Sequence, residues 1–134
     1  MSELKKKLLQ QIHTIHPKNY AKTRNFLDGE ITKLSPYITH GFIKTTQIRD
    51  IVLQKNNWKE SEKLISELAW REFFHRVWED KQEQIFDDLR FDQTKVSHYQ
   101  LPTNVIKAST KINAIDSAIN NLYENGYLHN HERM

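Results

Sequence analysis

The octet Glu67-Leu68-Ala69-Trp70-Arg71-Glu72-Phe73-Phe74 constrains the fold more than any other stretch, because it is helical in pattern yet has no continuous polar face. At about 100° per residue, Leu64, Ile65, Leu68 and Ala69 share one side, while Trp70, Phe73, Phe74 and Val77 share the other. Both sides require a packing partner, so this helix is expected inside a larger arrangement. Glu72 falls angularly among Ile65, Leu68 and Ala69, which predicts an inward carboxylate in need of a counterpart. Glu67 and Arg71 stand four apart in the favourable order, and an exposed ion pair worth about 0.2–0.5 kcal/mol accounts for those two on helix geometry alone.

The rest of the chain supports a helical architecture. Only three Gly and three Pro interrupt 134 residues, and strand-like alternation is nearly absent, so the expectation is all-α in a single domain. The formal charge of +3 permits a polyanionic partner without demanding one. Positive charge concentrates early, in Lys5, Lys6, Lys7, Lys18, Lys22 and Arg24, as it also would on a solvated helix face. Absence of cysteine excludes disulfides and thiolate metal sites. No apolar run is long enough for a membrane span and the N-terminus lacks the apolar core of a secretion signal, which together predict a cytoplasmic protein.

Local signals divide the chain into segments. Ser2 caps a first helix carrying Leu4, Leu8, Ile12 and Ile15, and Pro17 is expected to end it. A short helix then carries Tyr20 and Arg24. Asp28-Gly29 marks a turn, and Ile31 to Tyr37 reads as a loop entering a helix with Ser35 as N-cap, Pro36 at the first position and Gly41 at the close. Thr45 or Thr46 opens the next helix, which runs to about Lys55. Asn57 followed by Glu60 resembles a capping box for the helix of the octet. The stretch Phe86-Asp87-Asp88-Leu89-Arg90-Phe91-Asp92 and the polar segment to Thr110 read as short turns and loop. Asn113 or Asp116 begins a last amphipathic helix, with Ile115, Ala118, Ile119 and Leu122 on its core face and Asn125-Gly126 as its stop. His129 onward reads as the first turn of another helix.

Three constellations could carry chemistry. The Thr32 to Ser35 turn offers two hydroxyls and backbone N–H groups suited to a phosphate, although ordinary capping explains Ser35 equally well. Tyr20 and Arg24 offer a hydrogen-bonding ring and a guanidinium fork on one face. Tyr127 to Met134 gathers amide, imidazole and guanidinium groups, but His129, His131 and Glu132 lack the spacing of a zinc motif, so no metal is expected. No nucleophile elbow, Walker motif or dinucleotide fingerprint is present, which leaves chemistry to a bound cofactor.

The motifs in their order resemble the first half of the helical FAD-binding domain of the DNA photolyase and cryptochrome family. The residues that carry the resemblance are Tyr20-x-x-x-Arg24, Thr32-Lys33-Leu34-Ser35-Pro36-Tyr37 with Gly41, the octet, Ile115-Asp116-Ser117-Ala118, and Gly126-Tyr127-Leu128-His129-Asn130. It implies that Tyr20 and the turn Thr32, Lys33, Leu34 and Ser35 hold the FAD phosphates, and that Arg71 approaches the flavin. It further implies that Arg24 contacts a phosphate of UV-damaged DNA. Glu67 and Trp70 would line the cavity for a flipped pyrimidine dimer, with Asn130 and Arg133 on its rim, as an unstacked base needs an aromatic platform and hydrogen-bonding groups. Relatives that repair (6-4) lesions carry histidine where Asn130 stands, so the resemblance favours cyclobutane dimers, split by an electron from light-excited reduced FAD.

Departures from the family pattern are specific. Relatives read Trp-x-x-Gly-x-Thr-Gly-x-Pro before Asp116; here Val105, Ala108, Lys111 and Asn113 replace the Trp, both Gly and the Pro, and Thr110 is kept. No Trp follows Trp78, so the outermost electron-transfer tryptophan has no counterpart. The resemblance covers about Tyr20 to Met134 and implies a partial FAD-binding domain over residues 1–134. It has no antenna-pigment α/β domain, and the second half of the flavin site would have to come from a missing C-terminal half or a partner subunit. Without that half no catalytic residue is assigned. The alternative expectation is a non-catalytic helical fragment or split subunit that binds DNA or a partner without flavin.

Overall fold

Ser2 starts the first helix, α1 (Glu3–His13), by accepting the Lys5 N–H on its hydroxyl at 3.3 Å. The computed structural model describes residues 2–88 and 97–133, so Leu89, Arg90, Phe91 and Asp92 of the acidic stretch, and Met134, lie outside the described residues. Every regular element among the described residues is helical: α2 (Pro17–Thr23), α3 (Ser35–Thr39), α4 (Thr45–Lys55), α5 (Trp58–Lys81), α6 (Thr103–Ile106) and α7 (Asn113–Asn125), with 3-10 turns at Gln82–Phe86 and Asn130–Arg133. Among the same residues no helix is long and apolar enough to cross a membrane. The chain gathers into two compact units, Met1–Asp80 and Lys81–Met134.

Two expected caps fall differently. Pro17 does not end α1, which stops at His13 with Thr14 as its cap; it opens α2, where its fixed φ and missing N–H suit a first turn. Ser35 is not an N-cap either. Leu34 holds that position and Ser35 is already helical, while the Thr32 hydroxyl accepts the Leu34 N–H at 3.4 Å. Asn57 does cap α5, its Oδ1 accepting the Glu60 N–H at 3.0 Å.

The core belongs to the first unit. Leu8 and Ile12 of α1, Ile48 and Val52 of α4, Leu64 of α5, and the loop residues Leu34 and Ile43 are buried together, with Tyr20, Tyr37, Ile51 and Leu68 packed against them. The stripe that α5 buries is Ser61 and Leu64, Leu68 one turn on is partly buried against the core, and beyond Leu64 the helix has no buried residue. That corrects the expectation for Glu72. Its carboxylate is exposed and faces Arg76 Nε at 3.7 Å, because the core ends one turn before it. The aromatic side is likewise open, with Trp70, Phe73, Phe74 and Trp78 between 50% and 62% exposed, the first three stacked edge-on or offset on one another.

The second unit is held by polar contacts more than by apolar burial, and none of its described residues is buried. Ile115 and Leu122, expected on the core face of α7, are more than 40% exposed, with Ala118 and Ile119 only half-buried. α6 ends in a reciprocal pair of bonds, Ala108 N–H to Val105 O at 3.1 Å and Ser109 N–H to Asn104 O at 2.8 Å, with Ala108 left-handed at φ 49°. This is the Schellman arrangement, whose left-handed position normally holds Gly. α7 closes at Gly126, left-handed at φ 62°.

Candidate functional site

The first unit carries two neighbourhoods of expected site residues. One is a cleft of about 270 Å³ between the end of α1, α2 and the loop before α3, lined by Gln11, Thr14, Ile15, His16, Tyr20, Glu30, Ile31, Thr32 and Lys33. Tyr20, Thr32 and Lys33 thus share one space. The loop is tied to α1 by Gln11 Nε2, which donates to Thr32 O at 2.7 Å. Lys33 sits at φ 53°, a left-handed conformation that costs a residue with a Cβ about 1–2 kcal/mol. Glu30 opposes anion binding in principle, but one of its oxygens accepts from Asn19 Nδ2 at 3.1 Å. Leu34 and Ser35 do not line this cleft; the Leu34 side chain is in the core, which leaves only its backbone for any ligand.

The turn that shapes this cleft depends on Gly29. A Cβ there would stand 1.8 Å from the Thr23 carbonyl oxygen, so only glycine lets the chain close between α2 and Glu30. Thr23 completes the closure, its hydroxyl accepting the Glu30 N–H at 3.0 Å.

The other neighbourhood lies on α5, where Glu67, Arg71, Phe74, His75 and Trp78 line an open cavity of about 690 Å³. Glu67 does not pair with Arg71. Its Oε1 is held by Lys63 Nζ at 2.8 Å and Arg24 Nη2 at 3.3 Å, while Arg71 Nη2 donates to Thr39 Oγ1 at 2.7 Å. Trp70 lies at the edge of this group, ring-stacked on Phe74 at 5.9 Å between centroids.

Asn130 and Arg133 belong to the second unit. Arg133 Nε donates to Leu128 O at 3.0 Å and its guanidinium lies 5.3 Å from the Tyr127 ring centre. Glu132 organises the segment, accepting from Asn121 Nδ2 and from the His129 N–H, both at 2.6 Å. Those two hydrogen bonds, Asn121 first, hold its carboxyl below the usual carboxylate range. His129 and His131 face each other with Nδ1 atoms 2.7 Å apart, hydrogen-bond distance for one ring nitrogen donating to the other. Among the described residues no three His, Cys, Asp or Glu side chains gather as a metal site.

Sequence reasoning missed His16, Gln11, Thr14 and Glu30 in the cleft and Lys63 at Glu67. Only Lys63 left a signal, standing four residues before Glu67, though in the less favourable order for a helix pair. The cleft residues come from separate elements, so no spacing rule joins them. No family model, curated protein or solved structure matches the chain.

Proposed function

We propose that this chain is a photolyase- or cryptochrome-like helical module that binds FAD and UV-damaged DNA, with light-driven repair of cyclobutane pyrimidine dimers as the activity it serves. The observation that carries the reading is backbone geometry at the departures from the family pattern. Ala108 and Lys111, at the two positions where relatives have Gly, are left-handed at φ 49° and 68°. Asn113, where relatives have Pro, is the first residue of α7, the helical position that proline favours. Three residues of the wrong type thus keep the conformations that the family's residue types prefer.

The cleft of Tyr20, Thr32 and Lys33 suits the phosphates of FAD in its donor set, an ammonium with hydroxyl groups, with His16 beside them. Its volume of about 270 Å³ suits that part of the cofactor only. Arg71, Glu67 and the aromatic side chains of α5 offer a separate surface with the chemistry to receive an unstacked base. Reduced flavin, when bound, supplies the electron for dimer cleavage; the residues of this chain bind, orient and shield.

Purified protein incubated with FAD tests this directly. Bound flavin absorbance, together with tighter binding of UV-irradiated than of unirradiated oligonucleotide, is the expected result. A colourless protein that takes up no FAD and does not distinguish the two oligonucleotides would overturn it. The exposed aromatic half of α5 favours a second reading, a helical subunit that binds DNA or a protein partner without flavin. Oligonucleotide binding with no flavin uptake would select that alternative.

A further inference from the structure

The Glu67 carboxylate sits at the focus of two cations from two elements, Lys63 Nζ on α5 at 2.8 Å and Arg24 Nη2 at the end of α2 at 3.3 Å. The group is partly shielded, Arg24 keeping 19% and Glu67 32% of side-chain exposure. Both cations reach the same oxygen, Oε1. An ammonium and a guanidinium converging on one anionic oxygen is also how these groups hold a phosphate oxygen.

We infer that Arg24 and Lys63 form a phosphate-binding pair for a nucleic-acid backbone, and that Glu67 occupies it in the free protein as a built-in competitor. The inference rests on the reading of Arg24 as a DNA contact and adds the competition. A backbone phosphate seated on Arg24 and Lys63 displaces the carboxylate. Glu67 then becomes a free hydrogen-bond acceptor on the cavity that it lines with Arg71, Phe74, His75 and Trp78. Backbone seating is thereby coupled to the readiness of that cavity to accept a base.

The test is equilibrium binding of labelled, undamaged oligothymidine to the full chain across a salt series. Glu67→Gln is compared with Glu72→Gln, which removes the same charge from an exposed pair with Arg76. Glu67→Gln is expected to bind about three- to fivefold more tightly than Glu72→Gln, the scale of a partly exposed ion pair. The slope of log affinity against log salt is expected to steepen by up to about 0.7, because wild-type binding frees a carboxylate that recruits a cation. Adding Arg24→Gln to Glu67→Gln abolishes the gain. Lys63→Gln weakens binding more than Lys59→Gln, which keeps the test decisive should Glu67→Gln fail to fold. Inorganic phosphate at matched ionic strength leaves oligothymidine affinity unchanged.

Equal affinities for Glu67→Gln and Glu72→Gln, a gain that survives Arg24→Gln, equal effects of Lys63→Gln and Lys59→Gln, displacement by inorganic phosphate, or no oligothymidine binding at all would each overturn the inference. Flavin does not enter the readout. A chain that shows the pattern without taking up FAD loses the photolyase reading alone, and a flavin-loaded chain without the pattern loses this inference alone.

Discussion

Thr110 donates both its N–H and its hydroxyl to one oxygen of Asp116, at 2.8 and 2.7 Å, while the Lys111 N–H reaches the other oxygen at 3.2 Å. The same Thr110 hydroxyl accepts the Ile112 N–H at 3.2 Å. This lock joins the end of α6 to the start of α7 and satisfies the N–H groups of three consecutive residues that precede the helix. The hydrogen bonds from Thr110, its side chain first, hold the Asp116 carboxyl below its ordinary value.

A carboxyl whose folded pKa is depressed adds stability above its unfolded pKa and loses it as pH falls through the folded value. Asp116 and Glu132 are both of this kind. The protection of α7 amides, taken as the ratio of intrinsic to observed exchange at each pH, is therefore expected to stay constant between about pH 7 and 5 and to fall below about pH 4. In Asp116→Asn the acid-induced step shrinks. An acid step of unchanged size in both Asp116→Asn and Glu132→Gln would show that these hydrogen bonds do not set it.

Left-handed backbone at Ala108 and Lys111 makes a prediction of opposite sign to the usual rule for glycine. Ala108→Gly and Lys111→Gly are each expected to stabilise the second unit by about 0.5–1 kcal/mol, since relief of the Cβ clash exceeds the entropy lost. Asn113→Pro is expected to be neutral or stabilising, since the preceding Ile112 is extended at φ −112°, ψ 102°. Ser117→Gly, inside α7, is the control and should destabilise. Urea midpoints followed by circular dichroism measure all four.

Gly29→Ala is expected to cost more than about 2 kcal/mol, because no side-chain adjustment can move the Thr23 carbonyl out of the path of a Cβ. The loss should reach the cleft that this turn shapes, so on the proposed reading of that cleft Gly29→Ala should also bind FAD more weakly than Lys59→Ala does. A melting temperature equal to that of the unmodified chain would contradict the geometry.

Ser61 is fully buried on α5 and its hydroxyl has no hydrogen-bond partner among the described residues. An unsatisfied buried hydroxyl contributes a penalty without a bond, so Ser61→Ala is expected to raise stability by up to about 1 kcal/mol, and Ser61→Val to lower it by overpacking. Thermal melts of the two variants distinguish these directions.

The extent to which the fold was legible depends on the range of the interaction. Helix limits at Ser2, Asn57 and Asn125-Gly126 follow from contacts within three or four residues, and the sequence by itself determined them, along with the all-helical class, whereas α3 begins one residue before the expected Pro36. Leu8, Ile12 and Leu64 were readable as packed positions for the same reason, since period and burial coincide where a helix is covered. Of the site only a grouping was legible: Tyr20, Thr32 and Lys33 line one cleft, whereas His16 and Glu30 beside them come from elements that no local pattern connects. Tertiary structure alone decided where the core stops along α5. That one fact turned Glu72 outward, left Trp70 and Phe74 exposed, and freed Glu67 from Arg71 for partners 43 and 4 residues away in sequence. Angular position on a helix names the faces, but only the neighbours that arrive decide which face loses its water and which charge finds a counter-charge.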